Sequence, residues 1–151
     1  IKGLQHRIKS KKIKLDTVLH KKRFTISLDK AITEMIIEGI LMNAIDYTPE
    51  AGNISITTSE TETDIILSIK DDGIGIPKEC KSSIFRKFFR TDKARLINTE
   101  GFGLNLFITR TILQKTGGSI WFESKKNTGS TFHIVFPKSG MDAYIAPIKF
   151  L

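Results

Sequence analysis

Three stretches carry residue types that could do chemistry together. Asp71-Asp72-Gly73-Ile74-Gly75-Ile76-Pro77 follows an alternating apolar run, Ile65 to Lys70, that reads as a strand. A strand thus ends in a carboxylate, two glycines one residue apart, and a proline. Glycine lets a ligand approach the backbone closely, and proline is well placed to begin a short helix. The carboxylate can accept hydrogen bonds from an amino group. Alone, the heptad reads equally well as a Gly-rich surface turn. A second glycine pair, in Gly101-Phe102-Gly103-Leu104-Asn105-Leu106, opens a helical pattern, and unpaired N–H groups at such a start favour phosphate. Asn43 sits within a strongly apolar helical pattern, and its amide oxygen suits Mg²⁺, which prefers oxygen and usually arrives with substrate phosphates. Arg90 and its basic neighbours could neutralise a terminal phosphate. An acid for a base's amino group, an amide for a metal and glycines for phosphates make a nucleotide site. Gly-x-Gly by itself is a weak signal, and no Walker-type Gly-Lys-Ser/Thr run is present.

Those residues need elements to position them. Ile1, Leu4 and Ile8 recur at helical spacing, and Lys9 to Lys12 reads as a linker. Ile13 to Leu19 predicts a strand, and Phe24, Ile26 and Leu28 alternate as a second. Asp29 can cap a helix running to about Tyr47. That helix is nearly apolar around its circumference, which predicts deep burial against a sheet. Asn53–Thr58 and 64–70 predict a hairpin. In residues 78–100 an apolar group, Ile84, Phe85, Phe88 and Phe89, precedes a polar stretch, Arg90 to Glu100, that predicts a mobile loop acting as a lid. Leu104, Phe107, Ile108, Ile112 and Leu113 share a helix face that Gly117-Gly118 closes. Ser119–Ser124 and Thr131–Phe136 predict a closing hairpin. Helices falling between hairpins predict an α+β two-layer sandwich: a mixed, mainly antiparallel sheet with helices on one face.

The 151 residues suit one domain with a real core. Ile1 rather than Met opens the chain, which reads as a piece excised from a longer protein. No apolar run is long enough to cross a membrane, so the piece itself is expected to be cytoplasmic and not membrane-inserted, whatever anchors its parent. The single cysteine, Cys80, rules out an intrachain disulfide. His6, His20 and His133 show no metal-ligand spacing. The net charge of +8 is uneven. Nine basic residues fall within 1–23, where Asp16 is the only acid, and seven more lie within 78–95. Such clusters attract phosphates, nucleic acid or anionic surfaces.

Motif by motif, the chain resembles the ATP-binding catalytic domain of sensor histidine kinases, within the superfamily that includes gyrase and mismatch-repair ATPases (the Bergerat ATP-binding fold). Asn43 to Pro49 is similar to its N box, Asp71 to Pro77 to its first glycine box, Ile84 to Arg90 to its F box, and Gly101 to Leu106 to its second glycine box. Gly117–Ser124 and Gly129–Phe132 resemble its closing hairpin. The resemblance covers about residues 14–137. It implies a division into the end of an upstream dimerisation helix with linker (1–12), the ATP-binding domain (13–137) and a tail (138–151). It implies ATP and Mg²⁺ as cofactors, with Asn43 holding Mg²⁺ and Asp71 accepting the adenine amino group. Gly73, Gly75 and Ile76 would shape the adenine wall, with Tyr47 and Thr131 nearby. Gly101, Phe102, Gly103 and Leu104 would line the phosphates, Arg90 would approach the γ-phosphate, and Phe85 and Phe88 would anchor the lid. The implied reaction passes the γ-phosphate to a histidine on a separate dimerisation and phosphotransfer domain of the same protein. A response regulator follows as downstream partner. His6 lacks the acid that follows the family's phosphoacceptor, so this chain alone should not autophosphorylate.

Three positions depart from the family pattern. The usual second Asn, one turn before Asn43, is Gly39; the usual Lys near the phosphates is Asp46; and the second glycine box ends in Asn105. A carboxylate about 6 Å from a phosphate charge costs roughly 3 kcal/mol at an effective dielectric near 20. Weaker nucleotide binding than the family norm is therefore expected, with a gain on Asp46→Lys. The same departures motivate a second reading, a degenerate pseudokinase that acts by docking. A third, nucleic-acid binding, would show steep salt dependence, but the aromatics read as core and lid anchors, and no nucleic-acid partner is expected.

Overall fold

A computed structural model describes residues 2–19 and 29–141. After a 3₁₀ turn at Lys2–Leu4 comes helix α1 (Gln5–Ser10), then strand β1 (Lys14–Val18) and helix α2 (Lys30–Tyr47). The hairpin β2 (Asn53–Glu60) and β3 (Asp64–Asp71) follows, then a short helix α3 (Asp92–Ile97), helix α4 (Asn105–Thr116), and the hairpin β4 (Ser119–Lys125) and β5 (Gly129–Pro137). The second predicted strand, Phe24 to Leu28, and His20 lie outside the described residues.

The five strands form one sheet in the order β1-β2-β3-β5-β4. β1 pairs parallel with β2, and the other pairs are antiparallel, which is the mixed, mainly antiparallel sheet the patterning predicts. Side chains alternate across a strand, and that rule fixes the site. Ile65, Leu67 and Ile69 of β3 turn into the core, so Asp71, two residues on, points to the same side. On β5 the same holds for Ser130, Phe132, Ile134 and Phe136. Asp71 is opposite Ser130 in the register. The strand face that builds the core therefore delivers a carboxylate at its end.

α2 and α4 pack on each other and on that face of the sheet. The Asp29 carboxylate accepts from the Ile32 N–H at 2.9 Å and starts α2, a cap worth about 1 kcal/mol. Ile36, Ile40, Leu41, Ala44 and Ile45 form its buried stripe. The far side is open: Met35 is 53% exposed, so the helix is buried on one flank rather than all round. Gly39 of α2 lies against α4. A Cβ there would stand 2.8 Å from the Thr109 hydroxyl, and Thr109 is buried. The glycine in place of the family's second Asn is thus a packing match.

α1 and the turns on either side of it are seated on the domain. Leu4 and Ile13 are buried and Ile8 packs against them. Lys11 Nζ donates to the carbonyls of Ile45, Asp46 and Thr48 at 2.7–2.9 Å, closing the C-terminal end of α2, where a cation suits the dipole. On the other face of the sheet His133 stacks on Trp121 and meets Ser68 Oγ at 2.8 Å through Nδ1. It is a strand residue, as its alternation predicts.

Candidate functional site

A cavity of about 720 Å³ opens between α2, the end of β3, the segment 84–104 and the start of α4, a volume suited to a small-molecule ligand. Asp71 lines it. It is 6% exposed, and its Oδ1 accepts from the Gly73 N–H at 2.9 Å and the Ser130 N–H at 3.3 Å. Burial pushes its carboxyl up from 3.8 to about 6, against the pull of those two hydrogen bonds; the neighbouring Asp72 raises it further. The carboxylate is thus held in a poorly solvated place by the loop it begins.

That loop is tightly sewn. Gly75 adopts φ +62°, and a Cβ there would lie 2.0 Å from the Lys125 carbonyl. The Ile76 N–H donates to Ser124 Oγ at 2.8 Å, and the Asn127 N–H donates to the Ile74 carbonyl at 2.8 Å. The β4–β5 hairpin therefore braces the Asp71 loop from behind. Gly75, Ile76 and Tyr47 line the cavity with Asp71, and the Tyr47 carbonyl accepts from the Ile74 N–H at 3.3 Å.

Asn43 and the second glycine pair line the same cavity. Asn43 is half-buried on the cavity wall, and among the described residues its amide has no hydrogen-bond partner. Gly101, Phe102, Gly103 and Leu104 all line the cavity. Gly103 adopts φ +70°, with a Cβ excluded by the Phe89 carbonyl at 2.8 Å. The Phe88 N–H donates to the Gly103 carbonyl at 3.1 Å. α4 itself starts at Asn105, whose side chain is exposed at the cavity rim.

Arg90 also lines the cavity, but its guanidinium is occupied by backbone. It donates to the carbonyls of Gly101 at 2.5 Å, Ala94 at 2.7 Å, and Asn98. Here it staples the segment together. Residues 90–100 are not the irregular loop expected. Thr91 Oγ1 accepts from the Ala94 N–H at 3.2 Å and caps α3, and Lys93 Nζ reaches Asn127 Oδ1 at 2.9 Å. A Thr followed by Asp92 is an N-terminal helix signal, too short in reach to show as periodicity.

Four of the expected residues stand outside the cavity lining. Gly73 backs onto the Tyr47 carbonyl. Phe85 packs edge-on against Phe122 at 5.8 Å and anchors the segment in the core. Phe88 does not anchor it: the ring is 64% exposed and its φ is +61°. Ile84 and Phe89 line the cavity instead. Thr131 faces away from this cavity, and its neighbour Ser130 is the one beside Asp71. Strand alternation with Phe132 and Ile134 already implied that assignment.

Two further residues went unread as a pair. Asp46 is 8% exposed but not unpaired. Its Oδ1 accepts from the Arg7 guanidinium, and its Oδ2 from Asn98 Nδ2 at 2.7 Å. The unscreened carboxylate expected near the phosphates is therefore matched by a cation from α1, which removes most of the repulsion argued from sequence.

The chain also resembles known proteins in sequence and in fold. Residues 20–140 match the family model described as histidine kinase-, DNA gyrase B-, and HSP90-like ATPase. The sensor histidine kinase WalK of Bacillus subtilis (strain 168) is 37% identical over 114 residues, 74% of this chain and 19% of WalK. The chain thus spans about a fifth of the length of that curated relative. Among solved structures, the nucleotide-free catalytic domain of histidine kinase ThkA superposes with a TM-score of 0.76 at 30% identity, covering 89% of this chain and 86% of that one. ThkA in complex with the response regulator protein TrrA gives a TM-score of 0.73 at 28% identity, over 89% of this chain and 37% of that one.

Proposed function

The chain belongs to the family of histidine kinase-, DNA gyrase B- and HSP90-like ATPases, and from that premise we propose that it is the ATP-binding catalytic domain of a two-component sensor histidine kinase. Its reaction passes the γ-phosphate of ATP to a histidine on a separate dimerisation domain, and a response regulator receives it next. The observation that carries this reading is one cavity lined both by a buried acceptor, Asp71, and by the amide of Asn43, which has no hydrogen-bond partner among the described residues.

In this reading Asp71 Oδ2 takes the amino group of adenine while Oδ1 stays on the Gly73 and Ser130 N–H groups. Ile76 and Tyr47 flank the base, and Gly101 to Leu104 present backbone to the phosphates. Mg²⁺ fits the donor set: Asn43 offers a hard oxygen ligand. Among the described residues no three His, Cys, Asp or Glu side chains cluster as a metal site, so phosphate oxygens and water would complete the shell. The ion, when bound, would neutralise the phosphates. Positioning and charge neutralisation then supply most of the catalysis, as is general for phosphoryl transfer. Among the described residues no helix is long and apolar enough to cross a membrane.

The docking-module alternative loses its motive at two of three positions, because Thr109 fills the space at Gly39 and Arg7 pairs Asp46. The test is phosphate transfer from labelled Mg-ATP to the dimerisation domain of the parent protein. Labelled histidine on that domain, and none on this chain alone, is the expected result. Nucleotide binding with no transfer would restore the docking reading.

A further inference from the structure

Two cations line the nucleotide cavity among the described residues, Arg7 and Arg90. Arg90 is committed to three backbone carbonyls. Arg7 is placed differently. It projects from α1, outside the residues 20–140 that match the family model. Its guanidinium touches the Asp46 carboxylate and the Met42 sulfur, both on α2, and its side chain remains 44% exposed. A guanidinium carries five N–H donors, so a pair with one carboxylate oxygen leaves donors for a ligand.

Asp46 is a junction. One oxygen holds Arg7 and the other holds Asn98. Asn98 in turn accepts through Oδ1 from the N–H groups of Glu100, at 3.2 Å, and Gly101, at 3.0 Å. A single buried carboxylate therefore ties α1, α2 and the approach to the second glycine pair. α1 is fixed in that position by Leu4 and Ile8 in the core and by Lys11 on the end of α2.

We propose that Arg7 is a phosphate-binding residue of this cavity, oriented by Asp46, so that the helix ahead of the ATPase fold completes the nucleotide site. The buried Asp46 carboxylate would repel phosphate if left alone; Arg7 turns the pair into a neutral support with spare donors. Nucleotide occupancy and the seating of α1 are then coupled, because the phosphates and α1 share one side chain. This rests on the nucleotide reading above.

The test compares Mg-dependent binding of a non-hydrolysable ATP analogue with that of adenosine, for the whole chain and for Arg7→Ala, Arg7→Lys and Arg7→Ala/Asp46→Lys. Arg7→Ala should weaken the triphosphate about tenfold, the share of a charge-assisted hydrogen bond, and adenosine less than about twofold. Arg7→Lys keeps the charge and should recover part of the loss. The double variant moves the cation onto α2 and should recover most of it. Hydrogen exchange of the α1 amides should slow with the analogue in the whole chain and not in Arg7→Ala. Equal weakening of both ligands, or none, overturns the proposal alone, since it makes Arg7 a structural ion pair. Failure of the unaltered chain to bind either ligand overturns the nucleotide reading and this proposal together.

Discussion

Replacing Asp71 with asparagine separates what this residue does for the fold from what it does for a ligand. Asparagine keeps an oxygen for the Gly73 and Ser130 N–H groups and removes the charge that burial disfavours. Burial pushes the folded-state carboxyl up from the ordinary 3.8 to about 6. A raised acid contributes stability that is fully present below the unfolded value and lost as pH rises through the folded one. At pH 8 the ionised carboxylate thus costs the unliganded fold up to about 3 kcal/mol, at about 1.4 kcal/mol for each tenfold in proton affinity. Asp71→Asn should raise the unfolding free energy at pH 8 by about 1–3 kcal/mol, the lower end allowing for the new amide's own desolvation. The gain should roughly halve by pH 5 and vanish below about pH 4. Urea unfolding at the three pH values reads this directly. The same variant should bind ATP at least about a hundredfold more weakly, because an amide donor would oppose the adenine amino group. A variant that is less stable at pH 8, or equally more stable at every pH, would refute the reasoning: burial would not be what perturbs Asp71.

Other outcomes follow from the same geometry. Nucleotide affinity should fall as pH drops through about 6, by up to about tenfold per unit, because protonated Asp71 is a poor acceptor; calorimetric titration between pH 5 and 8 checks it, and Asp71→Asn should flatten the profile. Gly39→Asn, which restores the family's usual residue, should destabilise the fold by about 1–3 kcal/mol, since even its Cβ meets the Thr109 hydroxyl; Gly39→Asn with Thr109→Ala, which removes that hydroxyl and keeps a good helix former, should recover part of it in thermal melts. Phe85→Ala should cost about 2 kcal/mol or more through lost packing against Phe122. Phe88→Gly should cost nothing measurable, because the ring is exposed and glycine accepts the positive φ.

Much of the fold was legible in the sequence because the signals were local. The alternation through Ile65, Leu67 and Ile69 fixed both the strand and the direction of Asp71. The Asp29 cap and the Gly117 stop bounded their helices where the rules place them. What stayed hidden depends on long-range contacts. Arg7 and Asp46 are 39 residues apart, and no spacing rule links the helix ahead of β1 to the one between β1 and β2. Gly39 looked like a missing ligand until Thr109, on another helix, was seen to occupy its space. Two misses were avoidable. The period-2 rule assigns the inner face to Ser130, not Thr131, and the Thr91-Asp92 pair announces α3. Phe85 and Phe88 could not be told apart by composition, since a positive φ decides which ring leaves the core.

The central claim is that Asp71 and Asn43 face one ligand. Titrating a non-hydrolysable ATP analogue with Mg²⁺ into isotope-labelled protein, and following the backbone amides, tests it most directly. The account predicts that Gly73 and Ser130, around Asp71, shift together with Asn43 and Gly101 to Leu104, with one common dissociation constant. Shifts confined to one of these two groups, or gathered instead on the sheet face around Trp121 and His133, would contradict it.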